Sequence, residues 1–134
     1  MRVTRAIQRA HFILFVRDQA ASAVFYARVF GCAPTLDVPG MTELALLDGV
    51  VLGLMPEAGI RRILGDELPD PARAEGVGRS ELYLMVDDPA AWLARAEAAG
   101  ARRLSALAPR NWGHDVAYCA DPDGHVLAFA RPTA

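Results

Sequence analysis

Hydrophobic and polar residues alternate along two segments of the chain, and each segment ends in an acidic residue. Residues 11–18 read HFILFVRD and residues 81–88 read ELYLMVDD. Alternation of this kind predicts a strand, and the closing Asp18 and Asp88 are residue types that favour the first capping position of a helix. Both the strand starts and the caps lie 70 residues apart, from 11 to 81 and from 18 to 88. The chain therefore contains a weak internal repeat.

Each acidic cap is followed by a stretch with helical periodicity. These stretches predict helices over residues 19–30 and 89–99, and Gly31 and Gly100 mark their ends. Three further strands follow in each half, and an Asp-Gly dipeptide forms the turn between the last two. The predicted strands lie near residues 33–37, 42–47 and 50–55 in the first half, and near 101–107, 114–120 and 125–130 in the second, with turns at Asp48-Gly49 and Asp123-Gly124.

A strand, a helix and three strands, present twice, predict an α+β fold of two βαβββ modules. A chain of 134 residues is long enough for one hydrophobic core, so we expect a single domain over residues 1–134. The first module covers about residues 8–56 and the second about 80–131. The connecting loop, residues 57–79, contains Pro, Gly and charged residues and predicts a helical turn around 60–64. A connection of this length is usually functional or disordered.

Two motifs make this repeat more specific. Residues 25–31 read FYARVFG after the first strand, and Trp112-Gly113 precedes DPDGH at residues 121–125. In this order they resemble the vicinal oxygen chelate superfamily (glyoxalase / bleomycin resistance protein / dioxygenase), and the closing hairpin resembles its bleomycin-resistance-like members. The resemblance covers nearly the whole chain. It implies a cup-shaped mixed sheet with the helices on its outer face.

The same resemblance implies four positions for a divalent metal, on the first and last strands of each module. They are His11, Gly53, Glu81 and Ala128, and the family pattern has a carboxylate where this chain has Ala128. A catalytic divalent site usually has three protein donors, and only two of these residues can donate. We therefore expect no tightly bound metal. The alternative is a weakly held Zn, Ni, Fe or Mn at His11 and Glu81, completed by His114, a partner subunit or an outside ligand.

Small residues at positions 53 and 128 predict an open pocket in the cup. Strand alternation surrounds it with mostly apolar side chains, as in small-ligand sites, although the same pattern also suits ordinary core packing. His11 and Glu81 are the candidate catalytic residues, and we expect them to pair because a buried carboxylate needs a partner. The predicted ligand-binding residues are His11, Ile13, Phe15, Gly53, Met55, Glu81, Tyr83, Met85, Trp112, His114 and Ala128, with Val126 and Ala130 on the same face.

Trp112 has two interpretations. On a loop beside the pocket it can stack on a planar ligand, and at a subunit contact it is buried. His114 begins the next predicted strand, whereas turn geometry accounts for His125.

Composition excludes several other functions. All 14 basic residues are Arg, which excludes every mechanism that depends on Lys, and a net charge of −2 without long charge runs argues against nucleic acid or membrane partners. Cys32 and Cys119 lack disulfide or zinc spacing, so we expect two buried thiols. There is no apolar run like a signal peptide core or a membrane span, so we expect a cytoplasmic protein. Arg61, Arg62 and Arg79 either steer an anionic ligand or form a solvated surface.

Three functions stay open. The favoured one is a metal-independent binding protein for a flat or hydrophobic small molecule, since the chain resembles antibiotic-sequestering members of the superfamily, which act as homodimers. The second is a glyoxalase (lactoylglutathione lyase)-like or extradiol dioxygenase-like enzyme that uses a metal at His11 and Glu81. The third is a non-catalytic structural or regulatory subunit. A serine hydrolase is not supported, because no serine lies in a G-x-S-x-G motif.

Overall fold

The computed structural model describes residues 7–134 and confirms the α+β class with two βαβββ modules. It contains two four-stranded mixed sheets, ordered β1-β4-β3-β2 and β5-β8-β7-β6, rather than one continuous sheet. The strands are β1 (Ala10–Val16), β2 (Leu36–Val38), β3 (Met41–Leu47), β4 (Val50–Pro56), β5 (Glu81–Met85), β6 (Arg102–Pro109), β7 (His114–Ala120) and β8 (Val126–Pro132), and the helices are α1 (Gln19–Phe30), α2 (Glu57–Leu64) and α3 (Pro89–Ala98).

The strand register repeats between the two sheets. In each sheet the first strand runs parallel to the last, and the last runs antiparallel to the third. One row of paired residues in the first sheet is Ile13, Gly53 and Glu43. The corresponding row in the second sheet is Tyr83, Ala128 and Tyr118. The internal repeat of the sequence therefore corresponds to a repeat of strand pairing.

Acidic caps begin both long helices, as predicted. Asp18 accepts a hydrogen bond from the Ala21 amide at 3.0 Å, and Asp88 accepts one from the Ala91 amide at 3.2 Å. These bonds satisfy amides that have no partner within the helix. At the other end of α1, Gly31 adopts a left-handed conformation with φ of 65°, which a residue without Cβ accepts at little cost.

The chain between the modules differs most from expectation. A helical turn was predicted around residues 60–64, but α2 begins at Glu57, directly after β4. Its first residues give little helical signal, because Pro56 provides no side-chain cap and Gly59 has a low helix propensity. Gly59 is buried, and a Cβ there would lie 3.6 Å from Met55 Cγ. Two short 3-10 helices, Gly65–Glu67 and Pro71–Ala74, complete this connection.

One hydrophobic core joins the two modules. It contains residues of α1 and α3 and the sheet residues that face them, including Leu52 and Phe129. At its edge the Tyr26 hydroxyl donates to Asp121 Oδ2 at 2.6 Å, which links α1 to the turn before β8. Cys119 lies in this core, whereas Cys32 is exposed just after α1, so only one of the two thiols is buried as expected. The described residues include no helix that is both long and apolar enough to span a membrane.

The connection between the modules packs directly on the turn before β8. Gly124 has a φ of 91°, and a Cβ on it would lie 2.3 Å from the carbonyl oxygen of Gly76. A Cβ on Gly78 would lie 2.7 Å from the carbonyl oxygen of Gly124. Backbones can approach this closely only where side chains are absent. These glycines therefore allow the segment before β5 to contact the closing hairpin.

Candidate functional site

The side chains of each sheet that point away from α1 and α3 form a surface that we call the inner face. Alternate residues such as Leu14 and Leu82 pack with the helices in the core. Their neighbours along the strands point the other way. On the second sheet these neighbours form a small separate cluster of Val116, Ala128 and Ala130 with Tyr83 and Tyr118.

His11 lies on the inner face of the first sheet and contacts an acidic residue that the sequence did not single out. Its Nδ1 atom lies 3.4 Å from Oε2 of Glu43, and both side chains are partly exposed. The predicted partner of His11 is Glu81. Instead, β3 places Glu43 opposite Gly53 of β4, and β4 lies between β3 and β1. The two side chains therefore meet across the intervening strand β4. Alternation along β3 places Glu43 on this face, but the contact itself depends on strand pairing.

The two small residues do not leave the hollow that the sequence predicts. A Cβ on Gly53 would lie 3.0 Å from Ile13 Cγ1 and 3.2 Å from Met41 Sδ, so those side chains already fill the space. Ala128 is fully buried in the inner-face cluster, paired with one tyrosine on each neighbouring strand. The expectation of an open pocket at positions 53 and 128 is therefore corrected, because larger neighbours pack over both.

Three predicted residues of the second module form one hydrogen-bonded cluster. The Trp112 indole N–H donates to the Tyr83 hydroxyl oxygen at 3.0 Å, and that oxygen lies 2.6 Å from His114 Nδ1. Residue Trp112 is nevertheless 54% exposed. Its ring is thus fixed at one edge while much of its surface remains open to solvent. Such an indole can stack on a planar molecule without first becoming ordered.

A cationic residue that the sequence did not single out lies beside this cluster. The Arg110 guanidinium lies 5.1 Å from the Tyr118 ring centroid. Its Nη2 atom donates to Ser105 Oγ at 2.7 Å and to the Val116 carbonyl oxygen at 3.1 Å. Burial raises the pKa of Tyr118, Glu81 raises it further, and Arg110 opposes the shift. Alternation along β7 would have placed Tyr118 on the inner face, but only the folded loop shows where Arg110 lies.

The remaining predicted residues are divided among different places. Ile13, Glu81 and Val126 line one crevice of about 270 Å³ between the modules. Phe15 instead lines a cavity of about 400 Å³ beneath the connection, beside His125. Met55 contacts α2, and Met85 is half exposed at the end of β5.

The cavity beneath the connection also contains Glu57. Partial burial raises the pKa of Glu57, and the charge of Asp123 raises it further.

A divalent metal needs several carboxylate, imidazole or thiolate donors that converge on one point. Among the described residues, one group of three potential ligands converges, namely Asp121, Asp123 and His125, with donor atoms within 4.8 Å of one another. These atoms already have partners. Asp121 accepts from Tyr26 and from the backbone amides of the other two, and His125 Nε2 lies 3.0 Å from the Phe15 carbonyl oxygen. The group is therefore explained by the turn that it holds.

The four positions implied by the family resemblance fit a resident metal poorly. His11 already contacts Glu43, Gly53 and Ala128 offer no donor, and Glu81 belongs to no convergent group of three within the part of the chain that the structure describes. Two donors are fewer than a catalytic divalent site normally uses.

Comparison with known proteins identifies the family. The sequence model of the Glyoxalase/Bleomycin resistance protein/Dioxygenase superfamily matches residues 8–129. The chain belongs to this superfamily. Solved relatives include a glyoxalase-related enzyme from Fulvimarina pelagi, with 28% identity, a TM-score of 0.78 and coverage of 92% of this chain and 87% of that one. No curated protein matches the chain.

Two other solved structures carry the same superfamily fold. Protein ATC0852 from Agrobacterium tumefaciens is 28% identical, with a TM-score of 0.72 and coverage of 92% and 96% of the two chains. A glyoxalase/bleomycin resistance protein/dioxygenase from Nocardioides is 24% identical, with a TM-score of 0.76 and coverage of 98% and 87%; at that identity it supports the fold alone. The resemblance stated from the sequence is therefore confirmed at the level of the superfamily.

Proposed function

We propose that this superfamily member binds a small, largely apolar or planar molecule on its inner face, without a catalytic metal. The observation that carries the proposal is Trp112, which is 54% exposed as a residue although its indole N–H donates to Tyr83. A large exposed aromatic ring normally costs solvation free energy, and a planar ligand that covers it recovers that cost.

The composition of the inner face supports a ligand of this kind. Ile13 is 40% exposed and Met85 is 50% exposed on the same face of their strands. The inner face carries few polar groups, among them the His11–Glu43 pair and His114. A mostly apolar surface with few polar groups is the usual composition of a small-molecule site.

A homodimer is part of the proposal. β1 and β5 are edge strands, as are β2 and β6, and Phe12 on β1 is 54% exposed at the crevice between the modules. Exposed edges with large apolar side chains are surfaces that a second copy can cover. Sedimentation velocity of the full chain is expected to give twice the monomer mass, and a monomer at all accessible concentrations would contradict this part.

Binding can be tested with N-phenyl-1-naphthylamine, a neutral planar fluorophore. We expect saturable binding with a rise in probe fluorescence, and Trp112→Ala should weaken the affinity about tenfold because one aromatic stacking partner is lost. Val24→Ala is the matched control, since Val24 is also exposed but lies in a groove between α1 and β2. If Val24→Ala weakens binding and Trp112→Ala does not, the inner face is not the site.

The same variant distinguishes the second interpretation of Trp112. If the indole lies at a subunit contact, Trp112→Ala will shift the sedimentation coefficient toward that of a monomer. Unchanged assembly combined with weaker probe binding supports the ligand site.

A metal-dependent lyase or dioxygenase is the alternative, and one observation favours it. His11 and Glu43 place two donor atoms 3.4 Å apart beside Gly53. Elemental analysis of the purified protein decides between the two. If the protein contains stoichiometric divalent metal and His11→Ala removes that metal, the enzyme alternative replaces the binding-protein proposal. If the protein contains no metal after growth in metal-supplemented medium, the binding-protein proposal is supported.

A further inference from the structure

Arg110 carries a positive charge on the inner face that no carboxylate neutralises. Among the described residues, the carboxylates within 4.0 Å of an arginine pair with Arg17, Arg61, Arg103 and Arg131, not with Arg110. Its partners are neutral, namely a serine hydroxyl, a backbone carbonyl and the Tyr118 ring. A guanidinium that is partly buried without an anion keeps an uncompensated desolvation cost.

The side chain is also held in one orientation. Both hydrogen bonds of Arg110 come from Nη2, and Nε is buried without a partner. Nη1 makes no hydrogen bond to the described residues, yet it is not among the buried unpaired atoms, so it remains open to solvent. A guanidinium that is fixed through Nη2 and still has the N–H groups of Nη1 free can donate a charge-assisted hydrogen bond to a carboxylate.

We propose that the ligand of the inner face carries a carboxylate or a similar planar anionic group, and that Arg110 binds this group. This inference rests on the proposed function and specifies its ligand class as a planar aromatic acid. The other charged groups of the face form no ion pair with Arg110, since Glu43 contacts His11 and Glu81, whose charge acts on Tyr118, is exposed at the start of β5.

The spacing of the two anchors sets the size of the molecule. Tyr83 and Tyr118 lie on either side of Ala128 on neighbouring strands. Adjacent strands are about 4.8 Å apart, so the two tyrosines are separated by about 10 Å at the backbone. Trp112 is bonded to the first tyrosine and Arg110 stacks on the second. A fused two-ring acid is long enough to contact the indole with its rings and the guanidinium with its carboxylate.

The test compares 2-naphthoate with 2-naphthamide, two probes of the same shape that differ in charge, by calorimetric titration of the full-length protein. Wild-type protein should bind the acid about tenfold more tightly than the amide, because a charge-assisted pair with Arg110 is available only to the acid. Arg110→Gln should abolish that preference while affinity for the amide changes less than about twofold. Binding of the amide thus also reports that the variant is folded.

Two further variants sharpen the test. Arg110→Lys keeps the charge but cannot make the Nη2 hydrogen bonds that fix the donor group, so it should retain only part of the preference. Arg28→Gln removes an exposed arginine on α1, away from the inner face, and should leave both affinities unchanged. Equal affinity of the two probes for wild-type protein, or a preference that survives Arg110→Gln, would overturn the inference while leaving the proposed function intact. Failure of both probes to bind would instead overturn the proposed function.

Discussion

Tyr26 makes a buried polar contact between α1 and the closing hairpin. Its hydroxyl donates to Asp121 at 2.6 Å, and Asp121 in turn accepts two backbone amides of the turn. We expect Tyr26→Phe to lower the free energy of unfolding by about 1–3 kcal/mol, because a buried acceptor loses its donor. Urea denaturation measures this loss. Tyr118→Phe is the control, since the Tyr118 hydroxyl makes no hydrogen bond to the described residues, and an equal loss there would contradict the explanation.

The same residue predicts how stability depends on pH. Burial, followed by the charge of Asp121, raises the pKa of Tyr26 well above its usual value of 10.0. The native state therefore keeps a proton that the unfolded chain releases above about pH 10, so the free energy of unfolding must fall as the pH rises further. Tyr26→Phe should make this fall shallower. Cys119 also has a raised pKa, but wild-type protein and Tyr26→Phe both contain it. The difference between their pH profiles therefore reports Tyr26, and identical slopes would contradict the assignment.

The two cysteines should differ in reactivity. Burial raises the pKa of the Cys119 thiol to about 11, with smaller contributions from Glu97 and Asp121, whereas Cys32 is exposed. Since the thiolate is the nucleophile, iodoacetamide at about pH 8 should modify Cys32 and spare Cys119 in the native protein. Peptide mass spectrometry after brief labelling measures both sites. Full labelling of both in urea is the control, and native labelling of Cys119 would contradict its burial.

At the scale of single elements, local chemistry accounts for what the sequence could predict. Both long helices begin after an acidic cap, and α1 ends at a left-handed glycine, because capping depends on residues close together in the chain. The start of α2 has no such signal, since Pro56 offers no capping side chain. The His11–Glu43 contact depends on β3 pairing with β4, which includes an irregularity between Ala45 and Leu47 that no local pattern specifies.

The cap of α3 provides a direct test at this scale. Asp88→Ala should lower the free energy of unfolding by about 1 kcal/mol, because the Ala91 amide loses its acceptor. Asp87→Ala is a matched control, since Asp87 is the adjacent exposed acidic residue and makes no hydrogen bond to the described residues. Thermal and urea unfolding of the two variants should therefore differ, and equal losses would show that the bond to Ala91 contributes nothing measurable.

At the scale of the whole molecule, glycine contacts join the connection to the second module. Gly124→Ala places a Cβ 2.3 Å from the Gly76 carbonyl oxygen, at a φ of 91°. Gly113→Ala is the control, because its φ is 88° but nothing lies within 4 Å of the added Cβ. The control should lose about 1–2 kcal/mol of stability from backbone strain alone. Gly124→Ala should lower the free energy of unfolding clearly more than Gly113→Ala and should make residues 57–79 susceptible to limited proteolysis. Equal losses in the two variants would show that the contact with Gly76 does not contribute to stability.

The candidate site also shows the limit of sequence reasoning at this scale. Small residues at positions 53 and 128 predict empty space only if their neighbours leave it empty. Ile13 and Met41 instead pack over Gly53, and two tyrosines pair with Ala128 across the sheet. Packing to high density is the normal outcome in proteins, and which side chain fills a gap depends on rotamers and on distant strands.

Strand alternation places the side chains of the central strands on two opposite sides of each sheet. Side chains on the helix side hold the modules together, while the rows Ile13–Gly53–Glu43 and Tyr83–Ala128–Tyr118 lie on the opposite side. Ile13 in these rows is 40% exposed, so a substitution there leaves the buried residues in place, whereas Ala128 is fully buried. A designer who wants a carboxylate at position 53 must first shorten Ile13 and Met41, since they occupy the volume that the new side chain needs.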